Sequence, residues 1–157
     1  MYDTTYPVEK KREVKIVGRW FMKLYGPNGD LKDEASGKNV ITNSGLAFVT
    51  SFLNSAAAAA STFTMGYIAM GTDATAEMNT DAALGTELSR HTGTVSVSGT
   101  IYIVKATFAA GSGTGAIAEY GLFSSNTGGT MLSRDTEAVI NKGAGDSLEV
   151  TTEITMG

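Results

Sequence analysis

From residue 61 to its last residue the chain is a series of short alternating runs, separated mostly by glycine-bearing turns. Side chains of a strand alternate between two faces, so a period of two with turn residues between runs is the pattern of β-structure. Met65 to Met70 is apolar and ends at Gly71. His91 to Ser98 alternates, with Val95 and Val97 expected inside, and Gly99 breaks it. Ile101, Ile103 and Lys105 then share one parity while Tyr102, Val104, Ala106 and Phe108 share the other, which predicts a strand covered on both faces. Gly111 to Gly115 reads as a turn, and Ala116–Ser124, Thr130–Arg134, Thr136–Asn141 and Ser147–Met156 follow as strands. Residues 72–86 are polar and read as a loop. Seven or eight short strands of this kind predict a β-sandwich or barrel.

The chain before residue 61 adds three elements. Residues 13–25 form a long period-2 run with Val14, Ile16, Gly18, Trp20, Met22 and Leu24 on its apolar parity. Gly26-Pro27-Asn28-Gly29-Asp30 supplies a tight turn, because Asn-Gly adopts the positive φ values a hairpin needs. A short return strand is expected from Leu31 to Glu34. Residues 43–54 are the helix candidate, capped by Asn43 or Ser44, with Leu46, Val49, Phe52 and Leu53 on one face. The run Ala56–Ala60 has helical propensity but no amphipathic face. Residues 1–12 read as an extended N-terminal arm and residues 13–157 as a single domain.

Composition bounds the chemistry. The chain has 157 residues, 42% hydrophobic and 18% charged, and no cysteine. No disulfide, cysteine-ligated metal or cysteine nucleophile is available. The net charge of −4 argues against a whole-surface nucleic-acid binder. Residues 1–38 carry 8 of the 12 basic groups against 6 acidic ones, and residues 39–157 carry 4 basic against 10 acidic. The first segment is therefore suited to an acidic surface. No secretory leader is evident after Met1, and no apolar window reaches 18 residues, so no membrane span is expected.

Candidate reactive groups are few. His91 is the one histidine, and a single His without a second ligand builds no usual zinc site. No G-x-S-x-G elbow accompanies it. Asp73, Glu77, Asp81 and Glu87 cluster in sequence but lack the glycine of a calcium loop. Gly111-Ser112-Gly113-Thr114-Gly115 lacks the following helix that a phosphate cradle requires. Lys10-Lys11-Arg12 has no aromatic neighbours on which bases would stack. Glu119 lies among Ile117, Leu122 and Phe123, so if buried it needs a cationic partner, either Arg90 or Arg134. The residue chemistry points to a non-enzymatic β domain with no catalytic, cofactor or metal site.

Five stretches occur in an order that resembles tailed-bacteriophage virion proteins. They are Asn39-Val40-Ile41-Thr42-Asn43-Ser44-Gly45, Tyr67-Ile68-Ala69-Met70-Gly71-Thr72, Leu84-Gly85-Thr86-Glu87-Leu88-Ser89-Arg90, Glu119-Tyr120-Gly121-Leu122-Phe123, and Leu132-Ser133-Arg134 with Lys142 beyond it. The resemblance spans residues 39–142 and implies a jelly-roll-like β-sandwich with one short helix. It implies a capsid decoration (cement) protein, often a homotrimer, bound to the major capsid protein at the virion surface after synthesis in the host cytoplasm. Tail-fibre, collar or baseplate components resemble it too, and jelly rolls also serve as carbohydrate-binding adhesins. No catalytic residue carries over from the family, and the motifs read as fold determinants. The expected capsid-binding groups are Tyr2, Tyr6, Lys10, Lys11 and Arg12 of the arm, together with Arg19. No direct nucleic-acid or membrane contact is expected.

Overall fold

A computed structural model describes residues 14–53, 64–136 and 139–157, with backbone alone for Phe52 and Leu53. The arm residues Tyr2, Tyr6, Lys10, Lys11 and Arg12, and the Ala56–Ala60 run, lie outside the described residues.

The fold is mainly β with one short helix. Its strands are β1 (Ile16–Tyr25), β2 (Leu31–Ile41), β3 (Tyr67–Gly71), β4 (Glu87–Thr92), β5 (Thr94–Ser98), β6 (Ile101–Phe108), β7 (Gly115–Ile117), β8 (Glu119–Phe123), β9 (Met131–Asp135), β10 (Ile140–Lys142) and β11 (Ser147–Met156). The helix α1 runs Asn43–Leu53. Nine strands form one antiparallel sheet in the order β4-β3-β8-β9-β2-β1-β11-β6-β5, and β10 pairs with β7 beside it.

That sheet nearly closes on itself. Its two outermost strands, β4 and β5, are consecutive in the chain and separated only by Gly93, whose N–H donates to the Gly66 carbonyl at 2.7 Å. A Cβ at Gly93 would stand 2.5 Å from Val104 Cγ1, so the bend needs a residue without one. The opposite corner is β2, which pairs with β1 up to Asn39 and with β9 only at Val40 and Ile41. Two half-sheets result: β2-β1-β11-β6-β5 and β4-β3-β8-β9.

The core lies between them. Trp20, Met22, Leu24, Val104, Phe108, Leu148, Val150 and Ile154 come from the first half-sheet. Ile68, Met70, Tyr120, Leu122 and Leu132 come from the second, and the Trp20 and Tyr120 rings meet at 6.1 Å. The second half-sheet is covered on its other face too. There the 72–86 segment brings Leu84 over Ala69, Phe123 and Met131. Every residue of β8 and β9 is consequently buried.

Several expectations are corrected. The helix cap is Thr42, whose Oγ1 accepts from the Gly45 N–H at 3.0 Å; Ser44 Oγ lies within hydrogen-bonding distance of Thr42 Oγ1 and the Met131 carbonyl instead. Phe48 and Val49 pack against the core, while Leu46 is exposed because α1 rests on β9 by a different face. The return strand continues to Ile41 rather than stopping at Glu34, since its register with β1 runs on. His91–Ser98 is divided at Gly93, and Val95 and Val97 are exposed because β5 lies at an edge. Ala116–Ser124 is divided at Ala118, and of the strand expected over Thr136–Asn141 the described residues Thr136 and Val139 lie outside any strand while Ile140 and Asn141 belong to β10. The outer parity of β6 is only partly covered: Ile101 and Ile103 are half-buried and Lys105 is exposed.

Candidate functional site

Of the expected binding groups only Arg19 falls in the described part, exposed on the outer face of β1. The ladder sets Arg19 between Lys38 of β2 and Glu153 of β11. Two residues on, Phe21 is half-buried between Ser36 and Thr151, and Lys23 lies between Glu34 and Glu149. Glu149 is engaged by Lys105 Nζ at 2.7 Å. This face therefore presents a basic corner, Arg19 beside Lys38, next to a partly exposed ring. Val17, 53% exposed, extends it toward the start of β1.

A second grouping is internal. Glu119 opens β8 with no solvent exposure, and Arg134 of β9 lies diagonally across the ladder. Glu119 Oε2 accepts from Arg134 Nη2 at 2.9 Å, from Arg134 Nε at 3.2 Å and from the Gly85 N–H at 2.8 Å. Its Oε1 accepts from the Thr86 N–H at 2.7 Å and the Asp73 N–H at 3.3 Å. Arg134 also donates to Asp81 at 2.9 Å and to Asp73 at 3.2 Å. Burial works against the guanidinium charge, but the carboxylates of Asp81 and Glu119 outweigh it and raise its pKa. Asp73 is held below the usual carboxylate range, first by Thr75 hydroxyl and N–H donors and then by Arg134.

Gly71 is required here. A Cβ on it would lie 2.3 Å from both Glu119 Oε1 and the Thr86 carbonyl. Arg90, the other candidate partner for Glu119, goes elsewhere. It pairs with Glu87 at 2.6 Å, donates to the carbonyls of Ser125 and Gly128, and lies 3.6 Å above the Phe123 ring. The cluster thus fastens the 72–86 segment to the outer face of the second half-sheet. Its side chains are bonded to one another and to backbone N–H groups of that segment.

His91 was expected as a strand residue without chemistry. Its Nε2 lies 2.9 Å from Ser112 Oγ, which is 3.0 Å from Ser89 Oγ, and its ring packs on Phe108 at 4.6 Å. An activated serine needs its histidine oriented by a third group, and no carboxylate hydrogen-bonds the ring among the described residues. The contact ties the Gly111–Gly115 turn to β4. Lys142 is buried and donates to the Ala109 carbonyl at 3.0 Å. Burial lowers its pKa, and nearby Asp146 works against that shift. Asp146 is itself bound by Lys32 at 2.8 Å and by the Gly143 N–H.

Among the described residues no group of three His, Asp or Glu is arranged to hold a metal ion. An apolar cleft of about 230 Å³ opens between α1 and the first half-sheet, lined by Phe48, Val49, Ile16, Tyr102 and Ile154. No helix of the described residues is long and apolar enough to cross a membrane. Comparison with family models, with curated proteins and with solved structures found no match.

Proposed function

We propose that this chain is a structural virion protein: a capsid decoration (cement) protein that binds the outer surface of a phage head and stabilises capsomer junctions. In this reading the two half-sheets are the layers of a jelly-roll-like sandwich. The observation that carries the reading is where the motif residues lie. Gly71, Glu119 and Arg134, from separate motifs of the ordered series, meet in one charge-locked cluster that clamps a long segment to the sheet. Arg90 and Phe123, from two of the same motifs, meet beside it. Such a shared frame supports a family whose common feature is a rigid domain rather than a reaction.

The partner is the major capsid protein. Tyr2, Tyr6, Lys10, Lys11 and Arg12 of the arm, with Arg19 on the exposed basic corner, are the contacting groups. A standard interface of about 800 Å² per partner suffices for stable binding, and many copies on one shell act together. The carbohydrate-binding alternative loses its strongest platform, since Trp20 is fully buried.

Quantitative mass spectrometry of purified virions tests the reading. A copy number of the same order as the major capsid protein is the expected result. A handful of copies per particle moves the chain to a tail fibre, collar or baseplate, and absence from virions overturns the proposal. Deleting residues 1–12 is expected to abolish capsid binding while the β domain stays folded.

A further inference from the structure

The first half-sheet ends in two strands of opposite character. Over residues 31–39, β2 pairs only with β1 among the described residues. That stretch carries Lys32, Asp33, Glu34 and Lys38, and its ladder is offset between Leu24 and Tyr25. Charges and irregularities on an edge oppose pairing with another chain. On the other side, β5 pairs only with β6 among the described residues, and all five of its residues are exposed. Thr94-Val95-Ser96-Val97-Ser98 has no charge, no proline and no bulge. The charge-free stretch runs from Thr92 to Val104.

The inner side of β5 is also only partly covered among the described residues. Val95 and Val97 stand opposite the buried Val104 and the half-buried Tyr102, yet are 37% and 68% exposed. An exposed strand of β-branched residues with none of the usual protections is a template for a further strand.

We propose that β5 is a self-association edge, along which two copies pair antiparallel about a two-fold axis at Ser96. The strand is nearly its own complement. A register centred on Ser96 sets Thr94 against Ser98 and Val95 against Val97, with no charge facing a like charge. Paired β-branched residues are favourable cross-strand neighbours. Val95 of the second copy would then extend the inner apolar row of Ile154, Tyr102 and Val97. A five-residue ladder buries less than the roughly 1,200 Å² of a stable interface, so the association is weak and concentration-dependent. A two-fold contact closes as a dimer, unlike the trimer that the phage resemblance implies. The inference stands independently of the decoration reading.

Light scattering on the full chain across a concentration series tests it, together with hydrogen exchange at both ends of the series. The expected mass rises from one chain to two, and the amides of 94–98 slow as it does. Ser96→Lys sets like charges face to face on the axis at an exposed position, and it should weaken dimerisation at least tenfold without lowering the unfolding midpoint. Val97→Lys should act likewise. Val17→Lys, on the outer face of β1, should leave the dimer intact. A single-chain mass throughout, a trimer, or a dimer that both β5 variants leave unchanged would overturn the proposal.

Discussion

Glu119 is a carboxylate with no access to water, held by Arg134 and by the N–H groups of Asp73, Gly85 and Thr86. Removing one partner of such a pair leaves the other charge buried and unmatched, at a cost of about 3–5 kcal/mol. Arg134→Ala, which leaves Glu119 with N–H donors but no cation, is therefore expected to lose about that much in urea unfolding, and a loss under about 1 kcal/mol would show that the pair is dispensable. The need for a cation beside Glu119 was legible from its apolar neighbours. The identity of that cation was not, because it depends on β9 lying beside β8, a long-range pairing that no local pattern encodes. Acid acts on two other carboxylates. Asp73 and Asp146 both have pKa values lowered from 3.8, Asp73 by Thr75 first and Asp146 by Lys32 first. A carboxylate with a lowered folded-state pKa binds fewer protons folded than unfolded. Its stabilising contribution is whole above the ordinary value and is lost as pH falls through the folded one. Thermal melts should show stability dropping as pH falls below about 4, and Asp146→Asn should flatten part of that slope.

At the scale of elements, strand pattern and strand placement part company. The parity of β1 was readable throughout, and Trp20, Met22 and Leu24 are buried as their alternation requires. The parity of β5 was readable as well, but its inward valines are exposed because β5 is the outermost strand and pairs only with β6 among the described residues. The length of β2 was hidden for a related reason: an exposed edge strand carries polar residues on both faces and so lacks a period. Thr42 was missed as the cap because it ends an extended run. Its hydroxyl bonds both the Gly45 N–H and the Met131 carbonyl. Thr42→Ala should destabilise by about 1 kcal/mol, measured by urea unfolding, while Asn43→Ala should have little effect. Gly93→Ala tests the bend between β4 and β5. Its methyl would meet Val104 Cγ1 and the Lys105 carbonyl, and overpacking of this kind costs about 1–3 kcal/mol. An unchanged midpoint would mean that the corner yields.

For the whole molecule, the fold depends on contacts between distant parts of the chain. Strand β11 is central in the first half-sheet, with β1 on one side and β6 on the other. Its apolar residues Leu148, Val150 and Ile154 belong to the core. The ribosome therefore delivers the middle of this half-sheet after both of its flanks. Until residues 147–156 emerge, β1 and β6 each present an unmatched row of backbone donors and acceptors. Such rows invite pairing between chains, and non-local closure of this type is slow. A nascent chain stalled before residue 147 should remain sensitive to protease and prone to aggregation. Emergence of β11 would then convert it in one cooperative step, so the production of soluble protein would be governed by the pace at which residues 147–156 are delivered rather than by the stability of the finished fold.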